Sequence, residues 1–216
     1  TPDTKNSLYW ENGTVPWMPS GDINNGIIRS VSRRITLEGV KNSAAKKIPK
    51  SSIMVALNGQ GKTKGTVGLL EVDTTCNQSL AGILPSKYFD SKFMYYQLQS
   101  RYLEIRNLAG SDARNGLNLG LIKNIRIVLP RLEEQRRIGE ILYTVDEHIE
   151  ETESLIEKTK ELKKGLMQRL LTKGIGHIKF KKTEVGEIPV EWEVKKLEDI
   201  TTVITKGTTP TTYGYD

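Results

Sequence analysis

The stretch Ala56-Leu57-Asn58-Gly59-Gln60-Gly61-Lys62-Thr63 is where this sequence comes nearest to phosphate chemistry. With Ala56 in place of the first glycine it matches a relaxed phosphate-loop pattern, and the apolar run Ile53-Met54-Val55-Ala56-Leu57 leads into it as a strand should. A phosphate loop must also open a helix whose N-terminal amides face the phosphates. Lys64-Gly65-Thr66-Val67-Gly68 follows instead, a poor helix and a fair strand. The stretch therefore reads as a β-hairpin loop in which Asn58, Gln60, Lys62, Thr63 and Lys64 form a polar, cationic cluster.

Two further clusters have the same character: Ser111, Asp112, Arg114 and Asn115, and Arg29, Ser30, Arg33 and Arg34. Arg, Lys, Asn and Gln read base edges, whereas phosphates accept from Lys, Arg, Ser, Thr and backbone amides. The three clusters together point to DNA, although each member alone is equally a solubilising surface residue. Catalytic chemistry is not supported. The only histidines, His148 and His177, sit in a charged helix and a Gly-flanked loop, and no Cys/His cluster has metal-ligand spacing. An adenine methyltransferase would need a glycine turn after a strand and an Asn-Pro-Pro-aromatic motif, and the sequence has neither. Acidic residues concentrate in one helix, where a solvated face explains them.

The elements that must position these clusters differ along the chain. Residues 1–130 carry 17 Lys and Arg against 9 Asp and Glu, residues 131–173 carry 9 against 10, and residues 174–216 carry 6 against 7, so the net charge of +6 belongs to the first segment alone. A basic domain attached to near-neutral segments suits a polyanion, because neutralised phosphates release counterions. With 37% hydrophobic and 27% charged residues, 216 residues can bury a real core. The single Cys76 excludes an intramolecular disulfide, and no run reads as a signal peptide or a membrane span, so the expected setting is cytoplasmic.

Short β-branched runs at 53–57, 66–72 and 125–129, punctuated by Gly, Asn, Ser and Asp, predict a mainly-β or mixed domain over 1–130. One helix is expected over 89–108, stopped at Gly110. After Pro130 the pattern changes. Residues 133–171 contain no proline. Ile138, Leu142, Val145, Ile149 and Ile156 follow a 4-3-4-7 spacing, which Leu155, Leu162, Leu166 and Leu170 continue. This predicts a helix of about 35 to 40 residues, roughly 50 to 60 Å long. Its stripe asks for a partner helix more readily than for its own domain. The fold class is thus α+β, a mainly-β or mixed domain followed by a long helix that pairs as an antiparallel coiled coil. Residues 174–216 form a linker and the opening of a second domain, and Thr209-Pro210-Thr211-Thr212 echoes Thr1-Pro2-Asp3-Thr4.

An ordered set of landmarks carries a family resemblance. They are Tyr9-Trp10-Glu11-Asn12-Gly13 with Val15-Pro16-Trp17, Asp22-Ile23, Asn77-Gln78, Leu129-Pro130 with Glu134-Gln135 and Ile138, Leu166-Met167, Leu170-Leu171-Thr172, and Gly186-Glu187-Ile188-Pro189 with Glu191-Trp192. In this order they resemble the specificity subunit of type I restriction-modification systems, at half length: one target-recognition domain, one conserved helix and the start of a second recognition domain. Asn77-Gln78, beside Leu80, Ala81 and Gly82, reads as a structural hydrogen-bonding pair.

The resemblance implies a non-catalytic subunit that recognises double-stranded DNA and works with an adenine methyltransferase subunit and a restriction-translocase subunit. S-adenosylmethionine, ATP and magnesium would belong to those partners, and this chain would hold no cofactor. One domain plus one helix reproduces a two-domain arrangement only as a homodimer with antiparallel helices, reading two inverted half-sites. The tail would then lie beside the partner's domain and complete it. A coiled-coil scaffold with a basic adaptor domain and no sequence preference on DNA is the alternative.

Overall fold

The structure is a computed structural model that describes residues 1–59, 61–110 and 116–207. It comprises two compact units, Thr1–Ile149 and Glu150–Asp216.

In the first unit, β1 (Val15–Met18) pairs antiparallel with β3 (Arg33–Ile35) and parallel with β6 (Thr75–Cys76). The second sheet has the order β2-β5-β4-β7, built from β2 (Ile27–Ile28), β4 (Ile53–Ala56), β5 (Val67–Leu70) and β7 (Leu80–Ile83). A short helix α1 (Leu37–Lys41), capped by the Thr36 hydroxyl, follows β3. The strands β4 and β5 are buried throughout, which explains their unbroken apolar runs: with a period of two, each feeds two cores. Ile53, Val55, Val67 and Leu69 enter one core with Met94, Tyr95, Leu98 and Ile105, while Met54, Ala56 and Leu70 enter the other with Met18, Ile23 and Ile28. Each of these large apolar side chains contributes about 1.5 to 3 kcal/mol by leaving water. Gly68 faces the second core because a Cβ there would lie 2.6 Å from Ile28 Cδ1.

The helix expected over 89–108 is two helices, α2 (Ser91–Gln99) and α3 (Tyr102–Asn107). The break falls at Ser100 and Arg101. Arg101 leaves helical dihedrals and sends its guanidinium to Glu104 and to the carbonyl of Arg126. Gly110 adopts φ +84° just after α3, as expected of a stop. The strand expected over 125–129 is not paired in either sheet. This segment follows α4 (Leu119–Lys123), and side chains of the α2–α3 region take its carbonyls, Gln97 at Val128 and Arg101 at Arg126.

From Leu132 to Lys173 runs α5, 42 residues without a break, about 63 Å at 1.5 Å per residue. Its opening turns are fixed to the first unit. Gln135, 2% exposed, accepts from the Asp90 amide and donates to the Pro130 carbonyl. Gly139 allows close approach, since a Cβ would meet the Phe93 nitrogen at 2.7 Å. Lys92 pairs with Glu140 and lies 3.6 Å from the centre of the Tyr143 ring. The Tyr96 hydroxyl donates to Asp146 at 2.8 Å. The second unit holds the remainder of α5, an antiparallel hairpin of β8 (Phe180–Thr183) and β9 (Gly186–Pro189), and α6 (Leu197–Ile200). His177 stands edge-on to Trp192 and 2.9 Å from Glu191 beside this hairpin.

Candidate nucleic-acid interface

The loop joining β4 to β5 is held from beneath by α3, which lies inside the helix expected over 89–108 but whose contact with this loop the sequence did not indicate. The Tyr102 hydroxyl donates to the Lys62 carbonyl and the Arg106 guanidinium to the Lys64 carbonyl, both at 2.9 Å. Thr66 Oγ1 donates to the same Lys62 carbonyl at 2.8 Å, and Asn24 reaches Thr63 Oγ1 at 3.4 Å. Gly59, Gly61 and Gly65 take positive φ; at Gly65 a Cβ would lie 2.9 Å from Arg106 Cα, so α3 and the loop touch through backbone. A loop fixed through its own carbonyls spares the backbone part of the ordering cost of binding, the arrangement that binding loops need.

Of the first predicted cluster, Asn58 and Lys62 are exposed and Thr63 half-buried. Lys64 is a correction: it is only 5% exposed, because the chain turns inward as β5 begins, and its side chain does not join the loop surface. Gln60 lies outside the described residues. The phosphate-loop pattern is excluded by topology, since β5 follows as an antiparallel strand where a phosphate loop would open a helix. The second cluster, Ser111, Asp112, Arg114 and Asn115, also lies outside the described residues. The Leu117 amide donates to the Leu57 carbonyl at 2.8 Å, next to Asn58.

The third cluster is divided between the two sheets. Arg29 follows β2 and pairs with Glu71 at 3.2 Å, and Glu71 in turn accepts from the Tyr143 hydroxyl of α5. Arg33 and Arg34 are on β3. The Arg33 guanidinium lies 4.2 Å from the centre of the Trp10 ring and 5.5 Å from that of Trp17, two rings packed edge to face. Arg34 donates to the Thr14 carbonyl at 2.8 Å. All three are exposed, yet each is also engaged structurally. Asn77 is structural as expected, its carboxamide accepting from the Ser79 amide, and Gln78 accepts from the Thr1 hydroxyl.

Burial, with the Asp146 carboxylate next to it, pushes the Tyr96 hydroxyl well above the usual phenol range. Burial and the bond to Glu71 raise Tyr143 to about 12. Both phenols stay protonated and structural. Among the described residues no group of His, Cys, Asp or Glu could hold a metal ion, and no helix is long and apolar enough to cross a membrane.

Of the predicted pairing residues on α5, Ile138, within the first unit, is half-buried. Leu142, Val145, Ile149, Leu155, Ile156, Leu162, Leu166 and Leu170 are each at least 39% exposed, so the structure leaves the stripe uncovered.

The family described as "Type I restriction modification DNA specificity domain" matches residues 1–161. The chain belongs to this family. Among relatives of this specificity-domain chain, the type I restriction enzyme MjaVIII specificity subunit of Methanocaldococcus jannaschii is 36% identical over 53% of the chain and 27% of its own length. The EcoR124I/EcoR124II specificity subunit of Escherichia coli is 30% identical over 68% of the chain and 37% of its own length. The MjaIX specificity subunit, also of M. jannaschii, is 28% identical over 97% of the chain and 50% of its own length. The chain thus spans at most half the length of these relatives. The crystal structure of the S subunit from M. genitalium shares the fold, with a TM-score of 0.54 and 24% identity over 76% of the chain and 40% of that subunit. The HsdS subunit of Thermoanaerobacter tengcongensis does so at 0.53 and 17%.

Proposed function

We propose that this specificity-domain chain recognises a defined sequence in double-stranded DNA on behalf of a type I restriction-modification complex and catalyses nothing itself. The observation that carries this reading is the β4–β5 loop, which holds Asn58 and Lys62 outward on carbonyls fixed by Tyr102 and Arg106, in the one segment of the chain with a positive balance. Lys62 is suited to a phosphate and Asn58 to a base edge. The methyltransferase subunit, using S-adenosylmethionine, and the translocase-nuclease subunit, using ATP and magnesium, supply the chemistry. Two copies pair through the exposed stripe of α5, helices antiparallel, so that two recognition domains read an inverted, bipartite site.

Co-purification with the cognate methyltransferase, followed by mapping of methylated adenines, is expected to yield one inverted repeat of two identical half-sites. Binding with no sequence preference would overturn the reading in favour of a scaffold. Lys62→Ala is expected to weaken binding evenly across sequences and to lower the salt slope by about one.

A further inference from the structure

Asn58 stands where the β4–β5 loop leaves its sheet, and the backbone just before it is fully engaged. The Leu57 amide donates to the Ser79 carbonyl and the Leu57 carbonyl accepts from the Leu117 amide, both at 2.8 Å. Leu57 and Leu117 are buried in the same core, against which Leu121 and Ile122 also pack. Asn118 caps α4 by accepting from the Leu121 amide at 3.0 Å. Two segments distant in sequence are thus fixed to one core, and they bring Gly116 beside Asn58.

Gly116 leaves a hollow that the Asn58 side chain fills. A Cβ added to Gly116 would lie 1.9 Å from Asn58 Oδ1 and 3.0 Å from Asn58 Cγ, whereas the next atom, the Leu57 carbonyl oxygen, is at an ordinary 3.5 Å. Gly59, Gly61 and Gly65 take positive φ, but Gly116 does not, so its backbone makes no left-handed demand. Contact with one side chain is therefore what asks for glycine here. An alanine methyl cannot share the space of Oδ1, and the part that yields is the exposed end of Asn58, which turns about its own side-chain bonds while both backbones stay in place. That turn matters for recognition, because a carboxamide reads a base edge through two hydrogen bonds whose directions follow its plane. Seating it against Gly116 also removes part of the cost of ordering it on binding.

We infer that Gly116 is a positioning residue for sequence recognition: by lacking a side chain it sets the direction of the Asn58 carboxamide, and so the base pair preference that Asn58 imposes. This rests on the specificity reading, in which Asn58 meets a base edge. It adds that the preference is set from a second segment of the chain, outside the β4–β5 loop.

The test uses the full chain co-purified with its methyltransferase, and DNA duplexes carrying the mapped sequence with each base pair replaced in turn by the other three. Competition binding is measured for the unmodified chain, Asn58→Ala, Gly116→Ala and the double variant, beside the thermal unfolding of each. Asn58→Ala is expected to lose discrimination about tenfold at one base pair. Gly116→Ala is expected to lose a similar factor at that same base pair and at no other, with no fall in unfolding temperature. The double variant is expected to match Asn58→Ala alone, because the glycine acts only through that side chain. Full discrimination by Gly116→Ala, losses spread over several base pairs, losses added on top of those of Asn58→Ala, or a lowered unfolding temperature would each overturn the proposal. So would an Asn58→Ala variant that discriminates like the unmodified chain. The unmodified chain separates the two levels: if it discriminates while Gly116→Ala discriminates equally, the positioning role alone is removed, whereas if it prefers no sequence, the reading beneath falls and the proposal with it.

Discussion

The two ends of α5 obey the same apolar spacing and meet different fates. Over its first four turns the helix is set into the rest of the first unit by Gln135, Gly139, Tyr143 and Asp146. Beyond Ile149, within the second unit, its apolar residues are all at least 41% exposed. The difference shows that periodicity marks a face that must be covered without saying what covers it. The proximal turns are fixed by polar side chains and one glycine off the stripe, and the distal turns offer only the stripe.

The comparison breaks most completely at the distal end. Leu162→Glu with Leu166→Glu places two charges in the proposed pairing seam, and association measured by sedimentation is expected to weaken about 100-fold or more while thermal unfolding of the first unit is unchanged. Loss of that unfolding transition together with the dimer would show that the stripe serves its own domain. Gln135→Ala attacks the proximal end. It leaves the half-buried Asp90 amide and Pro130 carbonyl without their partner, and denaturant titration is expected to show a loss of about 2 to 3 kcal/mol with little effect on association. Gly139→Ala should cost less, about 1 to 3 kcal/mol, since the Phe93 backbone must give way. The smallest effect is that of pH. Tyr143 is raised from about 10 in the unfolded chain to about 12 in the folded protein, so the folded state binds this proton more tightly. Its contribution is complete below about pH 10 and lost as pH climbs toward 12. Melting temperatures are expected to fall less steeply over that window in Tyr143→Phe than in the unmodified chain.

The α+β class, the hairpin around Asn58 and Lys62 and the length of α5 were legible in the sequence, because each depends on local pattern: period two, glycine turns, or a stripe without proline. What was not legible depends on distant partners. The helix over 89–108 breaks because Arg101 reaches the Arg126 carbonyl, 25 residues away, and no window of sequence contains that bond. The run 125–129 has strand composition but its carbonyls are taken by side chains. Lys64 looked like a surface cation among polar neighbours, and only the inward turn at Gly65 buries it. Tyr102 and Arg106, four apart on one helical face, are visible in the sequence as a pair, but nothing in it marks the loop carbonyls they face.

The amide of Gln135 has a mechanical consequence. By holding the cap of α2 with one hand and the peptide before α5 with the other, it denies the helix a hinge where it meets the first unit. The root of α5 then behaves as a clamped beam rather than a tether. A twist applied to these first turns is delivered to α2 and the sheet beneath it.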